Sequence, residues 1–216
     1  HSVDSRAYPD LQEMMDDCRA AGLDPVICSS YRTQAKQQEL YENKLQRLIE
    51  EGYSYENAVT EAGTVVAVPG TSEHQTGLAL DIVDASYQIL DQGQEDTLVQ
   101  QWLIEHSWEY GFVLRYPNAK SEITGIIYEP WHFRYVGQPH AAIMEARGLT
   151  LEEYIAWLRE FPYESCRYQE KNAIVSFLPG ASDGPTILKR DSDLPCTISG
   201  NNVDGFIITE WRRAHG

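Results

Sequence analysis

An aspartate inside an apolar run is the feature that most constrains this sequence. The segment 69–84 reads PGTSEHQTGLALDIVD, and Asp81 in it is flanked on both sides by leucine, isoleucine, alanine and valine. A short apolar run after a glycine-containing turn is typical of a strand that is buried on both faces. Because an unpaired buried carboxylate is costly, the fold has to bring a cation to Asp81.

Two histidines and a second acidic residue indicate that this cation is a metal ion. His74 precedes Asp81 in the same segment, and the segment 128–134, YEPWHFR, contains Glu129 and His132 among aromatic neighbours. Two imidazoles and one carboxylate form a ligand set that holds Zn²⁺ and leaves a fourth position for water. We therefore predict that His74, Asp81 and His132 bind Zn²⁺. Glu129 is then left to take a proton from the water.

Three motifs resemble those of a known family. They are S-x-Y-R at 29–32, S-x-H-x-x-G-x-A-x-D at 72–81 and E-P-W-H-x-R at 129–134. In this order they resemble the VanY-type D-Ala-D-Ala carboxypeptidases, which are LAS metallopeptidases of peptidase family M15. The resemblance covers residues 4–160. It implies an α+β fold of the LAS/hedgehog-like zinc peptidase type, with a small antiparallel sheet flanked by helices.

The resemblance also implies an activity. A VanY-type enzyme is a zinc D,D-carboxypeptidase that removes the terminal D-Ala from peptidoglycan stem peptides. For this chain, the resemblance implies that Glu129 is the base and that Arg32 donates to the developing oxyanion. An L,D-carboxypeptidase, a D,D-dipeptidase and an endolysin are the alternatives within the same family. A zinc-bearing cell-wall-binding module without turnover is the alternative from another class, and the presence of both Glu129 and Arg32 argues against it.

Four further residues are assigned to the substrate by the resemblance. Ser72 is expected to bind the terminal carboxylate of the peptide, and Gln37, Tyr116 and Trp131 are expected to contact the substrate. Each of the four also has a structural alternative, as a turn, helix, strand-end or packing residue. Glu73 is expected to point outward and is a poor candidate for the base.

Composition limits the partners of the chain. Its 216 residues are 42% hydrophobic, which is enough for one domain with a sizeable core, or for one domain plus a small appendage. Seventeen basic and 33 acidic side chains give a net charge of −16, which argues against nucleic acid and anionic lipid as partners. No apolar run is long enough to span a membrane. We expect an extracytoplasmic monomer, at the bacterial cell surface or secreted, whose targeting or anchoring segment is absent from this chain.

The cysteines allow two interpretations. Cys18, Cys28, Cys166 and Cys196 lack C-x-x-C spacing. The most local pairing joins Cys18 to Cys28 and Cys166 to Cys196, which would fit an oxidising compartment. Four free thiols are the equally supported alternative.

Hydrophobic periodicity predicts the order of the elements. Helices are predicted at 4–21, 33–51, 54–62, 95–107, 139–147 and 151–160, and strands at 25–29, around Asp81, at 110–116 and at 129–135. Beyond residue 162, β-type runs at 173–178, 186–188, 196–199 and 206–211 are separated by turn residues. We therefore predict a zinc D,D-carboxypeptidase domain at 1–162 and a small C-terminal β subdomain at 163–216, for which the sequence predicts no function.

Overall fold

The chain forms two compact units. The computed structural model describes residues 1–212, and the first unit comprises His1–Thr150. The second unit begins at Leu151. The division between the units precedes the helix predicted at 151–160, whereas the sequence-based boundary follows that helix.

The first unit combines a small antiparallel sheet with helices, as the family resemblance implies. Its strands are β1 (Pro25–Ser29), β2 (Ala79–Asp84), β3 (Phe112–Leu114) and β4 (His132–Tyr135). Its helices are α1 (Tyr8–Ala20), α2 (Gln34–Glu50), α3 (Tyr55–Val65), α4 (Leu98–His106), α5 (Ser121–Thr124) and α6 (His140–Arg147). The strands lie in the order β1-β2-β4-β3, and every neighbouring pair is antiparallel.

Helix α1 and the sheet share the core of this unit. Leu11, Met14 and Cys18 recur at helical spacing on one face of α1, and all three are buried. They belong to the same apolar cluster as Leu80 of β2 and Phe133 of β4. Fully burying such side chains stabilises a fold by about 1.5–3 kcal/mol each. Leu80 and Ile82 both belong to this cluster, so β2 is packed into the core on either side of Asp81.

The strand register brings the three sequence motifs together. Asp81 of β2 pairs with Ser29 of β1 on one side and with His132 of β4 on the other. Residues directly opposite each other on neighbouring strands place their side chains on the same face of the sheet. The first, second and third motifs therefore meet in one row across the sheet.

A left-handed glycine connects the second motif to its strand. Gly77 has φ of +73° and ends the short 3-10 helix Glu73–Thr76, after which β2 begins. A Cβ atom added to Gly77 would lie 3.0 Å from the backbone nitrogen of Asp4. Glycine adopts this conformation without steric cost. Gly77 thus allows the sharp turn that separates His74 from Asp81.

We expect Gly77→Ala to destabilise the protein by about 1–2 kcal/mol, because other L-residues are strained in the left-handed region. Gly63→Ala is the matched control, since Gly63 lies within α3 and its added Cβ would make only an ordinary contact, 3.9 Å from Val68. That control is expected to stabilise the protein by about 0.5–1 kcal/mol. Urea unfolding measures both changes, and equal free energies of unfolding for the two variants would contradict the role of Gly77.

The second unit is a helix followed by a second antiparallel sheet. Helix α7 (Leu151–Leu158) precedes β5 (Tyr168–Glu170), β6 (Ala173–Pro179), β7 (Cys196–Gly200) and β8 (Gly205–Trp211), which lie in the order β5-β6-β8-β7. Glu210 of β8 is almost fully buried, and Arg167 Nη1 lies 3.2 Å from its carboxylate. A buried carboxylate needs such a partner.

Some details differ from the sequence-based expectations. The run at 186–188 is not a strand, and β5 was not predicted. All four cysteines are free thiols, so the local pairing of Cys18 with Cys28 and of Cys166 with Cys196 was wrong and the alternative holds. Within the described residues, no helix combines the length and the apolar composition that crossing a bilayer requires.

Candidate metal centre

The three predicted ligands converge in the first unit. Asp81 lies in the middle of β2, His132 opens β4 beside it, and His74 lies in the 3-10 helix that precedes β2. One ligand atom of each residue lies within 4.8 Å of the corresponding atoms of the other two. All three side chains are buried, with exposed fractions of 3%, 2% and 5% for His74, Asp81 and His132. The structure therefore brings together the side chains that the sequence selected.

The two imidazoles approach opposite oxygens of the same carboxylate. His74 Nε2 lies 3.3 Å from Asp81 Oδ2, and His132 Nδ1 lies 3.1 Å from Asp81 Oδ1. The two rings are perpendicular, with their centroids 4.9 Å apart. Burial raises the pKa of Asp81, but the imidazoles of His132 and His74 outweigh it and hold that pKa well below its usual range. Asp81 is therefore ionised at neutral pH.

The donor set fits a Zn²⁺ ion. His74 Nδ1–H donates to the carbonyl oxygen of Ser30 at 2.8 Å, which leaves the lone pair of Nε2 directed at the cluster. Asp81 Oδ1 is buried and has no hydrogen-bond partner among the described residues, although a buried polar atom normally has one. Two nitrogens and one carboxylate oxygen match the three protein ligands of a catalytic Zn²⁺ site, whose fourth position is left to water. These residues therefore offer what the ion requires.

Glu129 lies beside the ligands without belonging to their set. Its Oε2 is 3.5 Å from His132 Nδ1, and only 8% of the residue is exposed. Its backbone N–H donates to the carbonyl oxygen of Tyr116 at 3.1 Å, which ties the entrance of β4 to the end of β3. Burial raises the pKa of Glu129 to about 7. A carboxyl group in this range can both accept and return a proton near neutral pH.

Arg32 is held in place by several acceptors. Its Nη2 donates to Asp81 Oδ2 at 3.0 Å, and its Nε and Nη2 both donate to the hydroxyl of Ser29. Its Nη1 donates to Gln37 Oε1 at 3.3 Å. Of the five guanidinium N–H groups, one on Nη1 thus has no acceptor among the described residues. Arg32 supplies the cation that Asp81 was expected to need, in addition to any metal ion.

Gln37 supports Arg32 from the interior of the protein. Its side-chain amide accepts from Arg32 and donates to the carbonyl oxygen of Ala67 at 2.7 Å. The residue has no exposed surface. Direct contact between Gln37 and a substrate does not fit this arrangement, because both ends of the amide are engaged below the surface. Its position instead orients the guanidinium of Arg32.

The expectation that Glu73 points outward was wrong. Glu73 Oε1 lies 2.8 Å from Arg115 Nε and 2.9 Å from Arg134 Nη1, and its Oε2 faces His132 Nε2 at 3.8 Å. Burial raises the pKa of Glu73, but His132 and the two arginines outweigh it and keep that pKa far below its usual range. Arg115, which precedes the predicted substrate residue Tyr116, thus pairs with a carboxylate of the protein itself. Arg134, which ends the third motif, was the signal in the sequence that an internal carboxylate such as Glu73 would be needed.

The remaining predicted residues surround the cluster. Ser72 is 6% exposed, and its hydroxyl makes no capping hydrogen bond to the 3-10 helix that it precedes. The ring of Tyr116 packs against that of His132, with centroids 4.8 Å apart. Trp131 is 7% exposed, and its carbonyl oxygen accepts from the backbone N–H of Ile82. All three lie next to a ligand in sequence or in space, and their contact with a substrate stays a prediction.

The antiparallel sheet and this cluster define a protein with the LAS metallopeptidase fold, which confirms the predicted fold class. The family model for VanY, D-alanyl-D-alanine carboxypeptidase, matches residues 1–138, and the chain belongs to that family.

Known relatives agree with this assignment. A D-alanyl-D-alanine carboxypeptidase of Enterococcus faecalis is 48% identical over 153 residues, which are 71% of this chain and 55% of that protein. The chain thus spans little more than half of that relative's length.

Two solved structures are also similar. A vancomycin resistance D,D-pentapeptidase VanY in complex with Zn(II) is 45% identical, with a TM-score of 0.64 over 71% of this chain and 83% of that one. A vancomycin resistance D,D-dipeptidase, VanXYg, in complex with a D-Ala-D-Ala phosphinate analog is 32% identical, with a TM-score of 0.82 over 97% of this chain and 82% of that one.

Proposed function

We propose that this chain is a zinc-dependent D-Ala-D-Ala carboxypeptidase that hydrolyses the terminal D-Ala from peptidoglycan stem peptides. The observation that carries the proposal is the buried convergence of His74, Asp81 and His132, with Glu129 next to them and outside the ligand set. Membership of the VanY family and the Zn(II) complex of a VanY relative support it. Because its substrate is part of the cell wall, the enzyme would act outside the cytoplasm.

His74 Nε2, Asp81 and His132 Nδ1 would hold the Zn²⁺ ion. When bound there, the ion supplies Lewis-acid activation of water at neutral pH. Glu129 takes a proton from the attacking water and returns it to the nitrogen of the leaving D-Ala. Its buried position supports this task, because a carboxylate in an apolar setting holds a proton at a pH where an exposed one would not.

Two other residues would recognise the scissile end of the peptide. The remaining N–H of Arg32 Nη1 would donate to the carbonyl oxygen as negative charge develops on it. The hydroxyl of Ser72 would donate to the free carboxylate, which restricts cleavage to the last residue. Ser72 precedes His74 by two positions, so the anchored carboxylate would lie close to the metal ligands.

The reaction products test the proposal. Mass spectrometry of a stem pentapeptide, before and after treatment with zinc-loaded protein, is expected to show the loss of one D-Ala, and a chelator should prevent it. Hydrolysis of the free D-Ala-D-Ala dipeptide, with the pentapeptide left intact, would instead indicate a D,D-dipeptidase, and cleavage of the tetrapeptide an L,D-carboxypeptidase. Cleavage only of intact sacculi would indicate an endolysin. No product from zinc-loaded protein would favour a binding module.

We expect Arg32→Lys to lower kcat about 100-fold to 1000-fold, the usual effect of losing one oxyanion donor. Lysine keeps the charge near Asp81 but lacks the planar group that reaches Ser29, Gln37 and Asp81 at once. Arg19→Lys is the control, because Arg19 lies on the exposed face of α1 and pairs only with Asp16 among the described residues. Steady-state kinetics on the pentapeptide would contradict the role of Arg32 if both variants were equally active.

A further inference from the structure

Two buried polar atoms face each other behind the predicted metal ligands. Glu73 Oε2 and His132 Nε2 are both buried, and neither has a hydrogen-bond partner among the described residues. They lie 3.8 Å apart. An N–H···O hydrogen bond to a carboxylate is about 2.8 Å long, so a shift of about 1 Å would satisfy both atoms at once. The pair is therefore placed to form one bond.

The other oxygen of Glu73 is already engaged. Arg115 Nε and Arg134 Nη1 both approach Oε1, at 2.8 and 2.9 Å. Arg134 lies on β4, two residues after His132, so one strand carries both the imidazole and a cation that holds the carboxylate. The side chain of Glu73 is only 12% exposed. The two arginines thus leave Oε2 as the oxygen that Glu73 presents to the imidazole.

We propose that Glu73 is a positioning residue that selects the metal-binding nitrogen of His132. The inference rests on the proposed zinc site. A neutral imidazole carries one N–H and one lone pair. Glu73 Oε2 accepts a hydrogen bond from the N–H of His132 Nε2. The lone pair is then on Nδ1, the nitrogen that lies 3.1 Å from Asp81 Oδ1. Ligating histidines commonly donate their second nitrogen in this way.

The arrangement gives the two histidine ligands opposite tautomers. His74 donates from Nδ1 to the carbonyl oxygen of Ser30 and presents Nε2 to the cluster. His132 donates from Nε2 to Glu73 and presents Nδ1. Each imidazole therefore has its own acceptor, a backbone carbonyl for one and a clamped carboxylate for the other. The acceptor of His132 is a side chain, so a substitution can remove it.

Glu73→Gln tests the proposal sharply. The amide oxygen of the glutamine has to face Arg115 and Arg134, because both are donors, so its NH₂ group faces His132 Nε2. That donor favours the lone pair on Nε2 and the proton on Nδ1, the tautomer that cannot bind the metal through Nδ1. We expect zinc affinity, measured by competition with a chelator, to fall about 10–100-fold, the usual effect of losing an outer-shell partner of a ligand.

Three further measurements separate this role from a purely structural one. Glu210→Gln is the control, because it neutralises a buried carboxylate that also pairs with an arginine but lies outside the metal cluster, so its zinc affinity should equal that of the unaltered protein. Glu73→Asp keeps the charge and withdraws the carboxylate by one methylene, so it should fold and still bind zinc weakly. Nitrogen-15 NMR of the unaltered zinc-loaded protein should show His132 protonated at Nε2.

These measurements distinguish an error in the role of Glu73 from an error in the proposed zinc site. Unchanged zinc affinity in Glu73→Gln or in Glu73→Asp would overturn the proposal, and so would an equal loss in Glu210→Gln. Protonation of His132 at Nδ1 in the zinc-loaded protein would overturn it as well. Failure of the unaltered protein to bind zinc would instead overturn the proposed function, and this inference with it.

Discussion

Glu129→Gln is expected to lose nearly all D-Ala release while the protein keeps its zinc. The substitution preserves the size of the side chain but removes the group that accepts the proton from water, a contribution of about 100-fold to 10,000-fold in rate. Zinc should remain bound because Glu129 lies 3.5 Å from His132 Nδ1 and is not one of the three clustered ligands. Metal content by mass spectrometry and kcat on the pentapeptide measure the two effects separately.

A second glutamate–histidine pair in the chain offers a matched control. Glu109 lies three residues after His106, and its Oε1 is 2.8 Å from His106 Nδ1. Glu129 and His132 have the same spacing, but the exposed pair lies outside the metal cluster. Glu109→Gln should therefore retain full activity. An active Glu129→Gln, or one that has lost its zinc, would remove Glu129 from the role of base.

Much of the candidate site could be predicted from the sequence because Asp81 is a charged residue within an otherwise apolar strand. A carboxylate in an apolar strand requires cations, and the structure supplies Arg32 and two imidazoles around it. The register that aligns Asp81 with His132 could not be predicted, because all but the last residue of β2 are buried and the strand shows no alternation that would indicate one face. The two segments were linked by the ligand types they carry and by the resemblance, not by strand periodicity.

The position of Glu73 was predicted wrongly for a physical reason. A charged residue next to a turn is usually exposed, and its partners Arg115 and Arg134 lie far away along the chain. Local spacing carries no information about such pairs. The same limit explains Gln37, for which the resemblance implied a substrate contact but whose amide accepts a hydrogen bond from Arg32. Long-range polar pairing decides both positions.

Local signals predicted the helices and the longer strands better than the short strands. Thr33 and Ser54 each accept a hydrogen bond from a backbone N–H of the helix that follows, as their sequence positions indicate. In the second unit, the run at 186–188 has β-type composition, but Ile187 is 72% exposed and gains nothing from pairing. Strand β5 has ordinary composition, yet the ring of Tyr168 packs against Trp157 of the same unit. Tertiary packing therefore overrides propensity for strands of three residues.

Replacing either histidine ligand should remove both zinc and activity. His74→Ala and His132→Ala each leave two protein ligands, so zinc affinity should fall by more than the roughly 10–100-fold that is typical of a lost outer-shell partner. Because an ion that binds only the folded state stabilises it, zinc should raise the melting temperature of the unaltered protein and not that of either variant. His106→Ala is the control, since His106 pairs with Glu109 outside the cluster and should keep the zinc-dependent shift. A zinc-dependent shift in His74→Ala or His132→Ala equal to that of His106→Ala would exclude the cluster as the binding site, because only the first two lie within reach of Asp81.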